Sequence, residues 1–200
     1  MENKIIEVAR EVFIEKGYAE TSMSEIANRV GINRPGLHYY FRTKDKMFQA
    51  VFGSIVSSVV PKVFEALMHK EKNIGDRISC IIDAYYELFL QYPDIPMFML
   101  REVNRDADLV INTVREMDVV VMMQKGLASV QEEMNEGKLK KVPSQFMFYN
   151  FYSLLVFPFV TKNIALKTFV ENDEAFKQSL YSWKQNIISQ MTSLLEVKEP

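Results

Sequence analysis

Histidine and cysteine are nearly missing from this 200-residue chain, which has two of the first, His38 and His69, and one of the second, Cys80. A lone thiol excludes an intrachain disulfide and fits a reducing, cytoplasmic setting. So few soft ligands, placed so far apart, cannot build a structural zinc site, and neither a metal nor a cofactor is expected. GxGxxG, phosphate-loop and GxSxG patterns are also lacking, which leaves catalysis without a motif and argues against an enzyme. No signal-peptide pattern opens the chain. The longest apolar run, "FMFYNFYSLLVFPFV" at 146–160, is interrupted by Asn150 and Ser153. It falls short of the roughly 20 apolar residues that span a bilayer, so it reads as buried protein and no membrane is expected.

Glycine and proline are scarce too, at seven each. Between them apolar residues recur at three and four, the period of an all-α protein, and no Asn-Gly hairpin dipeptide interrupts it. About nine helices are predicted, by the placement of caps and breakers. The first runs over 3–16 with Ile5, Ala9, Val12 and Phe13 inward and Gly17 ending it. Thr21 or Ser22 caps a second helix that buries Met23, Ile26, Ala27 and Val30 and stops at Gly31. Asn33 caps a third, short helix that tolerates Pro35 in its first turn and turns Leu37, Tyr40 and Phe41 inward. A fourth begins at Thr43, with Met47, Phe48, Val51, Ile55 and Val59 inward, and Pro61 should kink or end it. Five more are expected over 75–92, 95–105, 108–136, 144–167 and 172–196.

Net charge is −2, which by itself argues against binding nucleic acid, yet the positive charge is gathered near the start. Residues 28–46 hold Arg29, Arg34, Arg42, Lys44 and Lys46 against the single acid Asp45. Two short helices joined by "VGIN" form a helix-turn-helix pattern, whose second helix can enter the DNA major groove. With Leu37, Tyr40 and Phe41 inward, a spacing of four sets Arg34, His38 and Arg42 on the outer side, beside Pro35 and Tyr39. Asn33 and Arg34, at the start of that helix, are the candidates for reading bases, because an arginine fork matches guanine O6 and N7. Thr21, Ser22, Tyr39, Lys44 and Lys46 suit phosphates, through hydroxyls, ammonium groups and helix donor ends.

These residues resemble a known family. "TSMSEIANRVGINRPGLHYYFRTKDKMFQAV", Thr21 to Val51, is similar to the DNA-binding segment of TetR-family transcriptional regulators. The pattern includes Ile26-Ala27, Gly31, Leu37, Tyr40-Phe41 and Lys44-Asp45-Lys46, and covers about residues 3–55. The resemblance implies an N-terminal three-helix DNA-binding domain, 1–46, and a C-terminal helical ligand-binding and dimerisation domain, 47–200. It implies a bacterial, ligand-responsive homodimer that binds a double-stranded, pseudo-palindromic operator, most often as a repressor. By position, Thr21 or Ser22, Tyr39 and Lys44 match phosphate contacts, and Arg34, Pro35 and His38 match places facing bases or nearby backbone. The sequence makes two departures from the pattern: Pro35-Gly36 stands where Gly followed by Thr or Ser is common, and His38 where Tyr is common.

Beyond residue 60 the informative feature is soft apolar material. Met and aromatic side chains fill irregular cores, and they also line adaptable pockets. A pocket for a largely apolar inducer is expected between helices five to eight, from Tyr85, Phe89, Met99, Met122, Phe148 and Tyr152. Phe176, Leu180, Trp183, Ile187 and Met191 recur at three and four along the last helix and are the candidate dimerisation surface. Cys80 reads as a small core residue, and Arg101, Glu102, Arg105 and Asp106 as a solvated or ion-paired helix end. The competing reading is a helical small-molecule binding or sensor protein that does not bind an operator.

Overall fold

A computed structural model describes residues 1–197 of the chain, and these form eleven α-helices. The order is α1 Glu2–Glu20, α2 Met23–Val30, α3 Arg34–Tyr40, α4 Lys44–Met68, α5 Ile74–Gln91, α6 Ile95–Arg105, α7 Ala107–Arg115, α8 Val119–Asn135, α9 Ser144–Val160, α10 Lys162–Thr168 and α11 Asp173–Leu195. Two of the expected helices are each divided: 108–136 is α7 and α8, and 144–167 is α9 and α10. The chain forms two compact units, Met1–Ser58 with Asp94–Val120, and Val59–Pro93 with Val121–Pro200. The unit that holds the N-terminal helices thus also includes α6 and α7.

In that first unit the inward stripe of α1 is as its spacing predicts, with Ile5, Ala9, Val12 and Phe13 buried. Ile26, Ala27 and Val30 of α2, Leu37 of α3, and Met47, Phe48, Val51 and Phe52 of α4 complete the core with Phe98 of α6. Gly17 ends the first helical stretch of α1, as expected. It sits at φ 78°, a left-handed backbone that an L side chain rarely adopts, and the helix resumes beyond it to Glu20. Gly31, at φ 83°, closes α2 by donating to the Ala27 and Asn28 carbonyls.

The second unit is organised by α5 and α11. Ile78, Ile81, Ile82, Tyr86 and Phe89 of α5 are buried, as are Phe176, Leu180, Ile187, Met191 and Leu195 of α11 and Leu155 and Phe159 of α9. Arg77 and Glu133 form a buried bidentate ion pair, at 2.7 and 2.8 Å. Cys80 is exposed and not a core residue, because α5 buries the opposite face. Of the apolar run at 146–160, only Leu155 and Phe159 are buried; Phe146, Phe148, Tyr149 and Phe157 are exposed.

Pro61 neither ends nor divides α4, which continues to Met68. Burial of Val59 and Ala66 on either side holds the helix together against the missing hydrogen bond. Among the described residues α4 is the one helix long and apolar enough, by length and composition alone, to cross a membrane. Its buried stripe, Met47 to Val59, faces protein.

Candidate nucleic-acid interface

The turn between α2 and α3 is built from side-chain caps. Ser22 accepts from Glu25 N at 3.1 Å and starts α2. Asn33 accepts from Gly36 N at 2.8 Å and starts α3. At Gly36 a Cβ would lie 2.9 Å from Asn33 Oδ1, so a larger residue there would oblige the capping side chain to shift. Pro35 lies in the first turn, where its missing N–H costs no helical bond. Asn33→Ala is expected to destabilise the chain by about 0.5–2 kcal/mol, measured by thermal or urea unfolding. An unchanged unfolding midpoint would mean the cap contributes nothing.

Leu37 of α3 and Phe41 at its C-cap face inward, and Tyr40, expected with them, is 40% exposed. Its ring stands edge-on to Tyr39, 5.3 Å between centroids, and Tyr39 is 83% exposed. Asn33, Arg34, Pro35, His38, Tyr39 and Arg42 are all exposed, so the structure brings the outer-face candidates together on one surface. Thr21 does not join them. It is buried, and its hydroxyl donates to Gly17 O at 2.7 Å, which removes it as a phosphate contact and gives it a structural task.

Lys44 is half-buried. Its Nζ donates to Ala19 O at 3.2 Å and lies 4.4 Å from the centre of the Tyr18 ring. Burial, then repulsion from Arg105, holds its pKa below the ordinary lysine value. An ammonium has three N–H groups, so the bond to Ala19 leaves donors for a phosphate. Tyr18 donates its hydroxyl to Asp45, and its pKa is pushed up to about 12, mainly by burial and then by that carboxylate. Sequence reasoning passed over Tyr18; its signal was an aromatic directly after the glycine that breaks α1.

The sequence pattern of the family described as "Bacterial regulatory proteins, tetR family" matches residues 5–51, the three helices that carry this surface and the start of α4. Over these residues the chain is similar to the TetR family. The chain is 39% identical over 92 residues to the biofilm operon icaADBC HTH-type negative transcriptional regulator IcaR of Staphylococcus aureus strain Newman, covering 46% of this chain and 45% of that one. It is 31% identical over 84 residues to the HTH-type transcriptional activator FasR of Mycolicibacterium smegmatis, covering 42% and 38%. The chain therefore spans less than half the length of either relative. Both are transcription regulators and not enzymes. At the level of fold, the transcriptional regulator FadR of Bacillus subtilis, solved with stearoyl-CoA, superposes with a TM-score of 0.70 at 15% identity, over 94% of this chain and 98% of that one.

The remaining candidates lie elsewhere. Tyr85, Phe89, Phe148 and Tyr152 fall in one aromatic cluster of the second unit, in which the Tyr85 and Tyr152 hydroxyls bond to each other. Burial pushes both tyrosine pKa values up. Met122 also belongs to the second unit, but Met99 lies on α6 in the first. On α11, Phe176, Leu180, Ile187 and Met191 are buried within their own unit, which leaves them no surface to offer a second chain. Trp183 is half-buried and donates Nε1 to Leu154 O at 2.8 Å.

Proposed function

We propose that this chain is a TetR-family, cytoplasmic, ligand-responsive repressor that binds a pseudo-palindromic operator as a homodimer and leaves it when a small, largely apolar molecule binds. The observation that carries the DNA-binding part is the two-sided third helix. Leu37 and Phe41 hold it in the core, while Arg34, His38 and Tyr39 stand exposed and Arg34 has no ion-pair partner among the described residues. Arg34 and Asn33 read base edges, the latter through its amide N–H groups because its Oδ1 serves the cap. Pro35 and His38 pack against bases or nearby backbone. Ser22, Tyr39 and Lys44 hold phosphates and fix register.

Dimerisation is assigned to the exposed apolar side chains of the second unit, above all Phe146, Tyr149 and Phe157 of α9 and Tyr181 of α11. These replace the buried α11 residues as the association surface. Two such copies would present their third helices about one helical turn, roughly 34 Å, apart. The aromatic cluster around Tyr85, Phe89, Phe148 and Tyr152 supports a ligand with an apolar part, and the stearoyl chain of the acyl-CoA in the FadR structure is of that character, although its CoA part is charged. A ligand that prefers the DNA-free state by about 1–3 kcal/mol would weaken operator affinity by roughly 5- to 150-fold. Helix α4, which runs from the first unit into the second, is the covalent route for that preference.

The test is operator binding, measured on duplexes enriched from a random pool and on the DNA upstream of the protein's own gene. Arg34→Ala should lose about 1–3 kcal/mol of discrimination at one base position, whereas Lys44→Ala should weaken all sequences alike and flatten the salt slope by about 1. If both variants keep wild-type specificity and salt dependence, these roles are wrong. If the wild-type chain enriches no duplex, DNA binding itself is wrong.

A further inference from the structure

The break in α1 is repaired from outside the helix. Had the helix continued through Gly17, Tyr18 N would donate to Ile14 O four residues back. Instead Tyr18 N donates to Glu102 Oε1 at 3.0 Å. The carbonyls on the other side of the break accept from Arg101, whose Nη2 reaches Phe13 O at 3.1 Å and Ile14 O at 3.3 Å. Two consecutive residues of α6, one cation and one anion, thus supply the donor and the acceptor that the backbone lost. The fit is close: a Cβ on Gly17 would lie 2.8 Å from the Arg101 guanidinium.

Glu102 is 1% exposed and held from both sides, by Arg101 Nε at 3.3 Å and Arg105 Nε at 2.6 Å. Arg105 in turn lies over the Tyr18 ring, 3.9 Å from its centre, on which Lys44 also rests. The same five residues, 17–21, are therefore tied to α6 through Tyr18 N, to α4 through the Tyr18 hydroxyl and Ala19 O, and to the earlier part of α1 through the Thr21 hydroxyl, which donates to Val12 O at 3.4 Å. They lead directly into the cap of α2. All of these groups belong to the first unit.

We infer that Arg101 and Glu102 are positioning residues for DNA binding, which hold the Gly17 break in one geometry and so set the approach of the chain into the helix-turn-helix. This rests on the DNA-binding reading above.

The test uses the full chain and a duplex enriched with the wild-type protein. Glu102→Ala should speed hydrogen exchange at the Tyr18 amide at least about tenfold and weaken duplex binding by about tenfold or more. Glu102→Gln, whose amide oxygen can still accept from Tyr18, should restore binding to within about threefold of wild type. Glu133→Gln, which disturbs a buried ion pair of the second unit, should lower stability without changing duplex affinity. Arg101 is partly exposed, so Arg101→Met keeps the proposal open to test if Glu102→Ala does not fold, and should weaken binding about fivefold or more. Unchanged Tyr18 exchange in Glu102→Ala, or wild-type duplex affinity in that variant or in Arg101→Met, overturns the assignment. Loss of affinity in Glu133→Gln equal to that in Glu102→Ala would reduce the effect to stability and overturn it as well. Should the wild-type chain enrich no duplex, the DNA-binding role falls with that reading, and Tyr18 exchange alone then shows whether the two residues hold the break.

Discussion

Glu133→Ala is expected to lower the unfolding free energy by about 3–5 kcal/mol, one of the two largest losses any single substitution should cause here. The reason is what it leaves behind. The Arg77 side chain is 2% exposed, so without Glu133 its charge stays buried with only the Leu67 carbonyl, at 3.3 Å, to accept from it. Arg77 Nε already has no hydrogen-bond acceptor, which makes the carboxylate the main compensation for burying the guanidinium. Replacing both partners with apolar residues, Arg77→Met with Glu133→Leu, should be close to neutral or stabilising, because the same pair also carries a desolvation penalty. Urea unfolding followed by Trp183 fluorescence measures both, since Trp183 lies in the same unit. A loss below about 1 kcal/mol for the single variant would place this pair with solvent-screened surface bridges.

Phe48→Ala should cost the first unit as much, about 3–5 kcal/mol. Phe48 has no exposed surface, and its ring packs against Phe13, Tyr18, Phe52 and Phe98 at centroid distances of 5.6, 5.4, 5.8 and 6.1 Å. Four helices' worth of apolar material meets there, counting α1 on both sides of Gly17 separately. Truncation removes the transfer energy of the ring and leaves a cavity bounded by rigid aromatics that collapse poorly. Circular dichroism during thermal unfolding reads the loss. A midpoint equal to wild type would show that this aromatic cluster does not hold the unit together.

Much of the DNA-facing part was legible because its signals are local. Ser22, Asn33 and Gly31 cap or end helices by contacts within three or four residues, and Leu37 and Phe41 follow from helical spacing. Tyr40 was misplaced because a seven-residue helix at the surface buries a narrower arc than the pattern suggests. Thr21 looked like a surface hydroxyl, yet the carbonyl it serves is exposed only by the left-handed backbone at Gly17. Glu102 was unreadable for a simpler reason: its decisive partner, Tyr18 N, lies 84 residues away.

The helix divisions show the same limit. Arg115-Glu116-Met117-Asp118 contains neither glycine nor proline, so nothing local announces the end of α7. The turn there is made by Glu116 N and Met117 N donating to the Asn112 and Val114 carbonyls, and Met117 Sδ lies within reach of Gly53 on α4, where a Cβ would stand 3.5 Å away. Packing made that break, as packing carried α4 through Pro61 and α9 through Pro158. On α11, apolar spacing correctly gave a buried stripe, but spacing alone cannot say whether the burying surface belongs to the same chain.

Helix α4 is continuous in geometry but uneven in stiffness. Pro61 has no N–H to give the Ser57 carbonyl, and two of the three serines before it in the helix turn their hydroxyls back on the ladder, Ser54 to Val51 O and Ser58 to Ile55 O, each at 2.7 Å. This stretch coincides with the change from one compact unit to the other between Ser58 and Val59. A rod weakened at its middle transmits a push from one end poorly but bends at a defined place. In the ligand-responsive repressor proposed above, that bend point would limit how much of the ligand's energy arrives as displacement and how much is absorbed in the helix itself.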